Sequence, residues 1–167
     1  MKDRLVRLLI AIFLPTIALC QGDPGFNGKW TAIPQISHDI SLYGALLIDI
    51  QQQPGSVIVV QKWGTGRSFT DSMKLKLGGA VNTVTITERV WPANVFMGLA
   101  MPIGGKRLIK AVWQNEGKML QLQESYSVRG SQGLSPIMCT HTYELSDDKE
   151  ILTYTVLRSS RPTGPPV

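Results

Sequence analysis

From residue 45 onward the apolar side chains recur at every second position, not at every third or fourth. In ALLIDIQQQ (45–53), Leu46, Ile48 and Ile50 share one face, while Leu47, Asp49 and Gln51 share the other. SMKLKLG (72–78) sets Met73, Leu75 and Leu77 against Lys74 and Lys76. That alternation is the mark of a strand with one face on a core. The same rhythm predicts strands over 56–63, 82–91, 106–114, 119–128, 136–145 and 150–158, and a first strand over 27–33. Turn chemistry separates them: Pro54-Gly55, Gly78-Gly79, Asn115-Glu116-Gly117, Gly130 to Gly133 and Ser146-Asp147-Asp148. Only 91–102, bounded by Pro92 and Pro102, has room for a helical turn. Short strands at this spacing predict an all-β fold, an antiparallel up-and-down barrel of about eight to ten strands.

The first twenty residues stand outside this rhythm. Lys2, Arg4 and Arg7 precede an unbroken apolar run from Leu8 to Leu19. The run is too short to span a bilayer, which takes about 20 residues, and has the layout of a secretory leader. Ala18 and Cys20 supply small residues for a cut before Gln21. The expectation is a signal peptide over 1–20 and a secreted or periplasmic domain over 21–167. The alternative keeps Cys20 as a lipidated first residue, and only then is a membrane a partner. Cleavage removes three basic residues and Asp3, so the net charge falls from +5 to +3. No run of Lys and Arg is interleaved with aromatics, which argues against nucleic acid. With Cys20 gone, Cys139 is the one thiol left and no internal disulfide can form, which points to a bacterial export. One domain, working as a monomer, fits the length. QGDPG (21–25) reads as a loose tether, and 159–167, rich in proline, as an extended tail.

At the start of the first predicted strand stands FNGKW, residues 26–30. Its glycine two residues before a tryptophan resembles the opening motif of the lipocalin and fatty-acid-binding (calycin) superfamily. The resemblance implies a barrel whose floor is closed by Trp30, with Gly28 part of the same floor motif. It also implies an arginine at the end of the last strand, here Arg158, lying across the indole, a cation–π arrangement. The second lipocalin motif, of Thr-Asp-aromatic type, has only Thr70-Asp71 to answer it.

Chemistry is sparse. In PIMCTHTYEL (136–145), Cys139, His141 and Tyr143 share parity with Ile137 and Leu145. In MLQLQESYSV (119–128), Glu124 and Tyr126 share parity with Leu120 and Leu122. Glu124, Tyr126, His141 and Tyr143 are therefore expected inside the barrel as ligand-binding residues. A buried carboxylate requires a partner, and His141, Arg158 or a tyrosine hydroxyl could serve. Two candidate ligands two residues apart do not make a metal site, which wants three or four, and no cofactor is implied. GTGR (64–67) leads into no helix, so it is a hairpin turn and not a phosphate loop.

The pattern favours a binding protein that holds a small, mostly apolar ligand in its barrel. A filled barrel or sandwich, serving as a structural or interaction module of the cell envelope, is the alternative. An isomerase or hydrolase working through Glu124 and His141 is the third reading; with no convincing catalytic constellation, the chain reads as a non-enzyme.

Overall fold

A computed structural model describes residues 21–38, 44–64, 68–87, 101–130 and 133–159. The leader, the helical turn expected over 91–102 (save Met101 and Pro102) and the tail beyond Ser159 lie outside the described residues. Among the described residues the fold is all-β and antiparallel, with nine strands: β1 (Gly28–Thr31), β2 (Leu46–Gln53), β3 (Ser56–Trp63), β4 (Phe69–Lys76), β5 (Val81–Thr85), β6 (Lys106–Gln114), β7 (Met119–Gly130), β8 (Gly133–Leu145) and β9 (Leu152–Ser159). They follow one another as a meander in two sheets, β1-β2-β3-β4 and β5-β6-β7-β8-β9. The backbone ladder does not close into a barrel: no ladder joins β4 to β5, or β9 to β1, among the described residues.

A side chain bridges the first of these gaps. Asn82, on β5, accepts from the Lys76 amide at 2.7 Å and donates to the carbonyls of Lys76 and Ile109 at 3.0 and 3.1 Å. Its amide thus supplies one peptide unit's worth of ladder between β4 and β6, and this satisfies backbone groups that would otherwise be buried without partners.

Strand limits differ from the sequence pattern where one neighbour is missing. β8 starts at Gly133, before Pro136, and among the described residues 133–137 pair with β7 alone; pairing to β9 begins at Met138. A proline costs no ladder bond on such a one-sided stretch. β5 stops at Thr85, and Ile86 instead exchanges backbone hydrogen bonds with Gly104 and Gly105.

Up-and-down order gives the molecule two unlike ends. The connections β2–β3, β4–β5, β6–β7 and β8–β9 are tight, and their end is plugged by the N-terminal segment. Residues 21–25 are not a loose tether. The Asp23 amide donates to the Gly117 carbonyl at 3.0 Å, and its carboxylate caps the Gly25 amide and pairs with Lys149. A short 3-10 turn over Pro24–Phe26 then drops Phe26, wholly buried, edge-on against Trp113 with ring centroids 4.8 Å apart. Gly28 has φ +134°, a conformation side chains resist, and this lets the chain turn from that plug into β1. The connections β1–β2, β3–β4, β5–β6 and β7–β8 gather at the opposite, long-loop end.

The inner faces of both sheets meet in one core. Ile48, Ile50, Val57, Val59, Met73 and Leu75 from the first sheet pack with Ile109, Ala111, Leu120, Leu122 and Tyr143 from the second. A second, smaller cluster lies toward the long loops: Ile86, Met101, Tyr126, Val128, Ile137 and Cys139.

Candidate functional site

The same alternation that builds the core carries polar side chains inward. On β6 the buried face reads Arg107, Ile109, Ala111, Trp113; on β4 it includes Asp71, Met73 and Leu75. Arg107 is 3% exposed. Its Nε donates to Glu124 Oε1 on β7, and its Nη1 donates to both oxygens of Asp71 on β4 at 2.8 and 2.7 Å. Glu124 Oε2 then lies 3.0 Å from His141 Nε2 on β8, and His141 Nδ1 lies 2.8 Å from the Tyr154 hydroxyl on β9. Five strands from two sheets are thereby strung on one chain of polar contacts.

A second cross-sheet link runs beside it. Gln61 on β3 donates to the Tyr143 hydroxyl at 2.8 Å, and Trp63 Nε1 reaches Gln61 Oε1 at 3.4 Å. Tyr143 and Tyr154 stack at 4.7 Å. These buried polar atoms thus find partners, whereas among the described residues Trp113 Nε1 and Arg158 Nη1 do not.

Charge explains why the chain of contacts is stable. Burial acts to raise the Glu124 carboxyl, but the His141 hydrogen bond and the Arg107 guanidinium outweigh it and hold it at about 2. Burial likewise acts against a charged His141, yet Tyr154, Cys139 and Glu124 lift the imidazole well above its ordinary value. With the ring protonated, both its nitrogens donate. Two carboxylates then balance one guanidinium and one imidazolium, so the buried group carries no net charge.

The residues expected inside are Glu124, Tyr126, His141 and Tyr143. The first two and Tyr143 are buried and His141 largely so. Glu124 and His141 meet; Tyr126 stands apart, its hydroxyl 3.3 Å from Cys139 Sγ in the smaller cluster, and burial pushes its phenol upward. Each Glu124 oxygen has one partner, Oε1 with Arg107 and Oε2 with His141. Trp30 is half-buried against the main core and donates to the Phe26 carbonyl at 3.2 Å. Arg158 lies opposite Cys139 in the β8–β9 register. The plugged end is made by Phe26 and Trp113. Arg107, Asp71, Gln61, Tyr154 and Asn82 do not stand out as site residues in the sequence, although strand parity marks all of them as inward.

One guanidinium is not satisfied. Arg158 Nη1 is buried and has no hydrogen-bond partner among the described residues. It lies beside Cys139, and its charge reaches the Tyr126 hydroxyl, so it borders the smaller apolar cluster. A groove of about 260 Å³ at the plugged end, lined by Asn115, Lys118, Glu144 and Asp147 among others, is open and touches none of these groups. No protein-family model, curated protein or solved structure matches the chain.

Proposed function

We propose that the chain is an exported carrier whose two sheets wrap into a lipocalin-like, up-and-down barrel around one small, mostly apolar molecule. The observation that carries this reading is the buried, unpartnered Nη1 of Arg158. A buried donor left without an acceptor costs free energy, and a guanidinium most of all. Its natural complement is an anionic head, which a guanidinium binds through paired, charge-assisted hydrogen bonds. The adjoining cluster of Ile86, Met101, Val128 and Ile137 offers apolar surface for the body of such a ligand. The Asp71–Arg107–Glu124–His141 group has its own charges balanced and serves as the rigid wall behind that site. Asn82, spanning the seam between the sheets, supports the barrel reading.

The test has two parts. Native mass spectrometry of protein taken from an exporting host should find a retained small acid. A long-chain alkyl carboxylate should bind better than the corresponding alcohol, and Arg158→Leu should erase that preference while leaving the fold intact. Equal binding of acid and alcohol, with nothing retained, overturns the reading. The solid packing of the core near Phe26, Ile50 and Leu75, all wholly buried, would then favour a filled structural or interaction module of the envelope.

A further inference from the structure

The two ends of the sheet pair differ in surface as well as in loop length. Four of the most exposed large apolar side chains stand at the long-loop end: Ile33 at 49%, Ile36 at 69%, Ile103 at 66% and Leu134 at 59%. The isoleucines lie on two separate connections, and Leu134 stands at the start of β8. Both connections are stiffened by their own turns, with Ile36 N donating to the Ile33 carbonyl and Gly105 N to that of Pro102. The isoleucines are thus held outward and not free to fold back onto the core.

Charge is segregated along the same axis. At the long-loop end the solvent-facing charges among the described residues are Lys62, Lys106 and Arg129, all basic, and the one nearby carboxylate, Asp71, is consumed by Arg107. The acids gather at the plugged end, with Asp23, Glu116, Glu144, Asp147, Asp148 and Glu150. Four lysines lie there as well, so the acids outnumber them only six to four: Lys118 and Lys149 are tied to Asp147 and Asp23, and Lys74 and Lys76 are exposed at the end of β4.

We infer that the long-loop end docks on an anionic lipid surface, with Ile33, Ile36, Ile103 and Leu134 entering the headgroup layer. Lys62, Lys106 and Arg129 then face the lipid phosphates. Separate apolar points ringed by cations suit a headgroup layer, where apolar insertion and attraction to anionic lipid add together. A protein partner would instead need a contiguous apolar centre. The acidic end faces away, so the charge separation also orients the molecule before contact. The arrangement would place the mouth of the interior against the source or sink of an apolar ligand. It stands without the Arg158 site, because none of its residues touches that arginine.

The experiment is vesicle flotation of secreted protein carrying Cys20→Ala, so that no lipid can be attached to the chain. Phosphatidylcholine vesicles containing phosphatidylglycerol should retain it about tenfold or more over phosphatidylcholine alone, and raised salt should remove the difference. Ile36→Asp with Ile103→Asp should abolish retention while leaving thermal stability unchanged, since both sites are in solvent. Ile151→Asp, at the plugged end, should leave retention as it was. No retention on anionic vesicles at low salt overturns the inference. Equal loss with Ile151→Asp does so as well, and so does capture by an acidic polypeptide in place of vesicles. Each of these results leaves the carboxylate-binding test of Arg158 standing.

Discussion

Arg107→Met replaces the one guanidinium that touches both sheets with an apolar chain of similar reach. The variant takes the guanidinium from Asp71 and leaves Glu124 with His141 alone; the two carboxylate side chains are 13% and 2% exposed. Removing one partner of a buried ion pair costs about 3–5 kcal/mol, because the remaining charge has neither water nor counter-charge. An independent route gives a similar figure. Glu124 is held at about 2 against an ordinary 4.5. At about 1.4 kcal/mol for each tenfold change in proton affinity, that depression is worth roughly 3 kcal/mol at neutral pH. A carboxyl depressed in the folded state stabilises fully above its unfolded value and loses that contribution as pH falls toward 2. Wild type should therefore lose roughly 2 kcal/mol of this contribution by pH 3. Arg107→Met, whose Glu124 is held down by the His141 contact alone, should lose less over the same range. Urea unfolding followed by tryptophan fluorescence at pH 7 and pH 3 measures both. The gap between the two proteins should be about 3–5 kcal/mol at pH 7 and clearly narrower at pH 3. A gap below about 1 kcal/mol at pH 7, the range of an exposed pair, refutes the reasoning. A gap independent of pH does so too.

Other outcomes follow from the same contacts. His141 should remain protonated well above pH 6.5 by imidazole NMR, and its stabilisation should be complete below that value and fade as pH rises through the folded one; titration at or below the ordinary value would contradict the pairing with Glu124. Asn82→Ala should cost about 1–3 kcal/mol in chemical denaturation and speed hydrogen exchange at the Lys76 amide, the bond it leaves open. Phe26→Ala should cost about 3–5 kcal/mol in thermal or urea unfolding, as for other wholly buried aromatics.

Much of this is legible in the chain and some is not. Alternation alone identifies the strands, because every strand has one face on the core and so carries a period of two. It also places Glu124 and His141 inward, and they meet. The same rule applied to Arg107-Ile109-Ala111-Trp113 turns Arg107 inward. The preceding Gly104-Gly105 gives that stretch the look of a turn, which hides it. Asp71 resembles half of a missing motif, whereas its parity with Met73 and Leu75 is the better signal. What alternation cannot supply is which inward residues of distant strands face one another. Asp71 and Arg107 meet only because the two sheets are stacked, a non-local fact. Nor can it give the plug, since Gln21 to Gly25 has turn composition and its anchors, Gly117 and Lys149, come from far along the sequence.

The plugged end has a consequence for the order in which the chain folds. Every strand pairs with its immediate successor or predecessor, so each sheet can zip up hairpin by hairpin as sequence becomes available, at small loop-closure cost. Residues 22–26 are the exception. They emerge first, yet they settle against Trp113, Gly117 and Lys149, and Gly22 sits so close beneath the Trp113 ring that a Cβ there would overlap it. A chain made from its N-terminus must therefore hold this segment unplaced until the β8–β9 turn is available. The strands can pair ahead of it; sealing the far end comes last, and it is the step at which a truncated chain would be left with an exposed core.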